Sequence, residues 1–128
     1  MAWQAGIRAI TLFVENLDTS KRFYQEVFDL PVTFEDTDSV VFDFGNLLIN
    51  LLKYEAVPEL IGPAELEVRE TAHRFEITVT VESVDRVAES LGHRGVKLLN
   101  GPIDRPWGLR TASFKDPDGH IWEIAREI

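Results

Sequence analysis

Ile10-Thr-Leu-Phe-Val-Glu-Asn-Leu-Asp18 decides the fold, because the chain repeats it: 67 positions on it reads Ile77-Thr-Val-Thr-Val-Glu-Ser-Val-Asp85. Ile, Thr, Val, Glu and Asp recur in place. The other positions keep their character, except Phe13 against Thr80. Each copy alternates apolar and other side chains at period two, which describes a half-buried strand. Each then runs into a helix-start signal. A strand feeding a helix, twice in one short chain, reads as two similar modules in tandem.

Working outward, residues 8–14 form the first strand. Ile10, Leu12 and Val14 point to the helix, and Ala9, Thr11 and Phe13 to the other side. Asn16 or Asp18 caps the next helix. Its apolar stripe is Phe23, Tyr24, Val27 and Phe28, and Leu30-Pro31 ends it. Residues 32–35, 39–44 and 47–54 follow as short strands, with turns at Asp36-Thr-Asp38 and Gly45-Asn46. Residues 55–73 are punctuated by Pro58, Gly62 and Pro63 and carry Glu55, Glu59, Glu65, Glu67 and Glu70. They read as a connection, with a short strand at residues 65–68 as an option.

The second module opens at residues 75–81, with Phe75, Ile77, Val79 and Val81 on one side and Glu76, Thr78 and Thr80 on the other. Ser83 caps a helix whose stripe is Val84, Val87, Ala88 and Leu91. Gly92 and Gly95 offer left-handed C-terminal positions. Residues 96–99 make a strand, residues 100–108 a loop, and residues 109–115 and 120–125 two strands joined by Asp116-Pro-Asp-Gly119. The expected fold is α+β: two tandem βαβββ modules with short connections and therefore a curved, mostly antiparallel sheet. Module one covers residues 7–54, the connection 55–73 and module two 74–128, in one domain of 128 residues.

Bulk composition narrows the function. An apolar content of 45% suffices for a core. A net charge of -9 argues against a nucleic-acid partner and favours a cationic or neutral small ligand. With no Cys, thiolate nucleophiles, thiolate metal sites and disulfides are excluded. The N-terminal stretch lacks a signal peptide's layout, and no apolar run approaches the ~20 residues of a membrane span. The expectation is a soluble cytoplasmic protein without a membrane partner.

Three stretches carry a family likeness. They are Ser20-Lys-Arg-Phe-Tyr24 before Leu30-Pro31, then Pro106-Trp-Gly-Leu-Arg110, and Phe114-Lys-Asp-Pro-Asp-Gly-His-Ile-Trp-Glu-Ile124. With the module order they resemble the vicinal oxygen chelate superfamily of glyoxalases, extradiol dioxygenases, fosfomycin-resistance enzymes and bleomycin-resistance binding proteins. The resemblance covers nearly the whole chain, and the last stretch is the most specific. It implies a U-shaped sheet around a cavity, formed within one chain or across a homodimer. Open sheet edges also favour a homodimer.

In metal-dependent members, ligands stand on the first and last strands of each module. The resemblance carries those positions onto Ala9, Asn50 (or a neighbour), Glu76 and Glu123. Ala9 offers only a methyl group. Two carboxylates remain, and if a metal is held, Glu76 and Glu123 hold it. Oxygen donors suit Mg²⁺ or Mn²⁺.

Without a metal, two acids facing one cavity repel unless one is protonated or a cation sits between them. Arg74, Arg110 or a ligand ammonium could be that cation. The competing reading ties Glu123 to Arg110 as plain structure. Trp107 offers a flat surface for a planar or cationic group, or else lids an edge. Trp122 alternates with Glu123 and belongs to the core. Trp3 packs the N-terminus, and Phe13 walls the cavity. His73, His93 and His120 are poor candidates for catalysis.

The resulting expectation is a metal-independent, cofactor-free protein that binds or sequesters a planar or cationic small molecule through Phe13, Asn50, Glu76, Trp107, Arg110 and Glu123. The first alternative is a glyoxalase-like lyase, isomerase or dioxygenase with a divalent metal on Glu76 and Glu123. The second is a metal-free enzyme in which one Glu, its pKa raised by the other, moves a proton.

Overall fold

The computed structural model describes residues 4–69 and 71–128. Trp3 and Glu70, and the roles expected of them, lie outside the described residues. The chain divides into two compact units, residues 1–67 and 68–128, and each builds its own four-stranded sheet.

In the first unit, β1 (Ala9–Val14) leads into α1 (Leu17–Phe28), then β2 (Val32–Glu35), β3 (Ser39–Asp43) and β4 (Leu48–Lys53). The sheet order is β1-β4-β3-β2, with β1 parallel to β4 and the other pairs antiparallel. Asn16 is the cap: its side chain accepts from the Thr19 amide at 3.0 Å, satisfying a donor that the first helical turn leaves open. Asp18 sits in that first turn, at the positive end of the helix dipole. The helix stops at Phe28, because Asp29 adopts the left-handed conformation (φ 53°) ahead of Leu30-Pro31. Tyr24 is fully buried and stacks on Phe28 and Phe42, which ties the stripe of α1 to Leu12, Val14, Ile49 and Leu51.

The connection is more structured than its composition suggests. A 3-10 turn at Tyr54–Ala56 runs into a short helix, α2 (Val57–Ile61), with Pro58 in its first turn, where a missing N–H costs nothing. The optional strand at residues 65–68 does not form; those residues pair with no neighbouring strand.

The second unit repeats the plan with β5 (Glu76–Thr80), α3 (Val84–His93), β6 (Leu98–Asp104), β7 (Leu109–Lys115) and β8 (Ile121–Glu127). Its order, β5-β8-β7-β6, with β5 parallel to β8, is the order of the first sheet. Ser83 caps α3 by accepting from the Arg86 amide, and Val84, Ala88 and Leu91 are buried. The core beneath α3 is Trp122, Ile124, Ala112 and Phe114, so Trp122 faces the helix as its alternation with Glu123 requires.

Two local expectations are corrected. Gly92 lies inside α3, and only Gly95 (φ 78°) takes the left-handed position after it. The loop expected from residue 100 is instead strand as far as Asp104. Gly101-Pro102 is absorbed as an irregularity where β6 slips against β7. Because β6 is the sheet edge, a Pro without an N–H removes no ladder bond that a neighbour needs.

Candidate functional site

The face of each sheet turned away from its helix carries the candidate residues. On the first sheet, Thr11 pairs with Asn50, Asn50 with Val41 and Val41 with Phe34. Phe13 lies on the same face one row along, beside Leu52. The Asn50 amide nitrogen reaches Thr11 Oγ1 at 3.5 Å, while its Oδ1 is shut off from solvent and accepts no hydrogen bond among the described residues. A buried acceptor left unmatched costs about 1–3 kcal/mol.

The equivalent row of the second sheet is Thr78, Glu123, Ser113 and Asn100. Thr11 with Asn50, and Thr78 with Glu123, are therefore the same ladder position in the two modules. Thr78 Oγ1 donates to Glu123 Oε1 at 3.1 Å. Glu76 stands two residues back on β5, on the same face. Partial loss of water raises the Glu76 pKa above the ordinary carboxylate value, the Glu123 charge raises it further, and Arg105 pulls it down. A groove at the C-terminal end of β5 is lined by Thr78, Thr80 and Ala125 together with Ser83, Arg86 and Val87 at the start of α3.

The neighbouring cation is Arg105, which the sequence reading did not single out. Its Nε donates to the Thr111 hydroxyl at 3.0 Å and its Nη2 to the Asn100 amide oxygen at 3.0 Å. Its guanidinium lies 5.7 Å from the centre of the Trp107 ring, within cation–π range. Trp107 is 65% exposed, so its free face is available to stack. The only sequence signal for Arg105 was its place beside the Pro106-Trp107-Gly108 turn.

Arg110 belongs elsewhere. It shares the helix-facing side of β7 with Ala112 and Phe114, and forks onto Asp85 at 2.8 and 3.1 Å and onto Asp104 at 2.9 Å. Those two acids hold its pKa above the usual guanidinium value and push that of Asp85 below the usual carboxylate range. Arg110 as a ligand-binding residue, and as one option for the cation beside Glu123, is corrected: β7 and β8 alternation sends the two side chains to opposite faces.

The histidines have local roles. His120 Nδ1 lies 2.7 Å from Asp116 Oδ2, inside the turn whose amides at residues 118 and 120 donate to Asp116 Oδ1. His93 lies 3.6 Å from Glu89 on α3. His73 precedes β5, near Gly119.

A family profile described as a glyoxalase-like domain matches residues 7–128, essentially the span of both modules. The chain belongs to the glyoxalase-like domain family. That places it in the vicinal oxygen chelate superfamily. It is 34% identical over 123 residues to the "Uncharacterized protein YraH" of Bacillus subtilis, covering 93% of this chain and 96% of that protein. It is 22% identical over 119 residues to the "Metallothiol transferase FosB" of Staphylococcus saprophyticus, covering 93% and 75%. A glyoxalase/bleomycin resistance protein/dioxygenase from Nocardioides superimposes with a TM-score of 0.85 at 22% identity, over 100% of this chain and 87% of that one, and shares the fold.

Superfamily membership raises the question of a divalent metal. Ala9 has no donor atom, and Asn50 turns its amide nitrogen to Thr11. No group of three His, Cys, Asp or Glu gathers among the described residues. Glu76 and Glu123 are two donors, where a zinc site takes about three or four from the protein. The donor set of this glyoxalase-like domain does not fit zinc, and two carboxylates would hold Mg²⁺ only with water completing its shell.

Proposed function

We propose that this glyoxalase-like domain is a metal-independent binding protein for a small molecule, planar and bearing a cation or hydrogen-bond donors, and that it sequesters that molecule. The observation that carries the reading is the second sheet's exposed face, where Glu76 and Glu123 stand close enough for one charge to raise the other's pKa. A ligand ammonium or N–H between them relieves that repulsion. Trp107 supplies an aromatic surface beside it. On the first sheet, Phe13 is the corresponding apolar group and Asn50 the residue at the ladder position of Glu123.

The test is titration of the purified protein with a panel of planar cationic natural products, followed by Trp fluorescence. Saturable quenching, lost in Trp107→Phe and weakened in Glu123→Gln, is the expected result. No response across the panel would count against the reading.

A second reading takes Glu76 and Glu123 as ligands of Mg²⁺ or Mn²⁺ in an enzyme. It is favoured by the likeness to a protein named as a metallothiol transferase. Elemental analysis of the protein as purified separates the two. A stoichiometric divalent ion that disappears in Glu123→Ala decides for the enzyme. We also propose a cytoplasmic homodimer. The edge strands β2 and β6 expose Phe34, Leu99 and Ile103, apolar side chains that a second copy would cover.

A further inference from the structure

The two arginines of the β6–β7 hairpin are held in opposite ways. Arg110 has its charge answered by two carboxylates, Asp85 and Asp104. Arg105 is held by neutral acceptors only, the Asn100 amide oxygen and the Thr111 hydroxyl. Among the described residues no carboxylate lies within ion-pair distance of Arg105. This happens in a chain with 22 acidic and 13 basic residues, where a carboxylate partner would be easy to supply.

The two neutral bonds fix the guanidinium plane, and Thr111 itself is fully buried. Stacking against Trp107 restricts the side chain further. Nη1 has no hydrogen-bond partner among the described residues, which leaves donors of the fork unspent. A guanidinium fixed in direction, with no carboxylate bonded to it and donors left over, is arranged to receive a planar anion in two parallel hydrogen bonds. Arg105 reaches Thr111, on the face of the second sheet that also carries Glu76 and Glu123.

We infer that Arg105 is a specificity-determining anion anchor, and that the molecule this face takes is a zwitterion. Its carboxylate or similar planar anion lies on Arg105, its ammonium lies towards Glu76 and Glu123, and its apolar body lies on Trp107. The assignment rests on the proposed ligand site on the second sheet and adds the anionic half to it. It also explains why the face carries charges of both signs: the two acids take the cationic end of the ligand and Arg105 the anionic end.

Three probes with the same ring separate the possibilities: benzylamine, phenylacetate and L-phenylalanine. Binding is followed by the indole N–H resonance of Trp107, assigned with Trp107→Phe. L-Phenylalanine is expected to bind about tenfold more tightly than benzylamine, the increment of a charge-assisted pair. Arg105→Gln removes that advantage and leaves benzylamine as it was or better. Arg105→Lys, which keeps the charge without the fork, retains part of the advantage and serves if the Gln variant does not fold. Equal binding of benzylamine and L-phenylalanine, or an advantage that survives Arg105→Gln, overturns the anchor while leaving the cation site standing. Binding by none of the three overturns the cation site and the anchor together.

Discussion

Glu76 shows how little of a residue's chemistry is its own. In isolation it is an ordinary surface carboxylate; on β5 it loses part of its water and faces Glu123. Its pKa is therefore raised in the fold, so ionisation weakens the folded state. That penalty is absent below the ordinary carboxylate value, where both forms are protonated, and grows as pH rises through the raised value. Glu76→Gln should thus be more stable than the parent at pH 7, by less than about 1 kcal/mol after solvent screening. Urea unfolding at several pH values should show the gap closing as the pH falls below the ordinary 4.5. A gap that stays constant with pH would mean that the repulsion is not its source. Arg105 and Arg110 make the same point in geometry. Both are arginines of one hairpin, five residues apart: Arg110 stands on β7 with its helix-facing residues, while Arg105 lies in the turn and is drawn to the candidate face by its bonds to Asn100 and Thr111.

Elements whose boundaries are set by local chemistry were legible before any coordinates. Ser83 and Asn16 are good caps because a short side-chain oxygen reaches the third amide on, and that is what both do. The Asp116-Pro-Asp-Gly119 turn was equally plain, since Asp116 can accept from amides two and four residues ahead. Strand β6 was not legible past residue 99. Gly-Pro is a strong turn signal, yet here the hydrogen bonds to β7 outweigh it and the pair becomes a slip in an edge strand. Gly101 is essential to that slip. Its φ is +86°, and a Cβ there would overlap the Thr111 carbonyl oxygen and Ala112. Gly101→Ala should cost at least about 2 kcal/mol, measured by urea unfolding. It should also disturb the Thr111 hydroxyl that orients Arg105. An unfolding curve indistinguishable from the parent's would show that β6 can re-register around the methyl group.

Across the whole molecule, the repeated topology means that each unit buries its own core, Tyr24 and Phe42 in one and Trp122 and Phe114 in the other. The irregular stretch after α2 belongs to neither sheet, and Glu65 and Glu67 are exposed on it. A Glu-specific protease should therefore cut first at Glu65 or Glu67, and mass spectrometry of the early fragments reads the position. First cuts within residues 9–53 or 76–127 would mean that one of the sheets opens more readily than the connection.

The sequence by itself determined the duplication, the strand-helix order of each module and the Ser83 cap; it left Asn16 and Asp18 both open as the first cap, and the shared outward face of Glu76 and Glu123, with Trp122 inward, came through the family resemblance. The duplication, the order and the cap follow from periods of two and 3.6 and from short-range hydrogen bonds, which need no knowledge of distant neighbours. Only the tertiary structure decided which cation keeps company with the acids. Arg110 is claimed by Asp85, 25 residues away on another element, while Arg105 is left with neutral partners beside Trp107. Charge pairing depends on where folded strands and helices bring side chains together, and no local pattern encodes that distance.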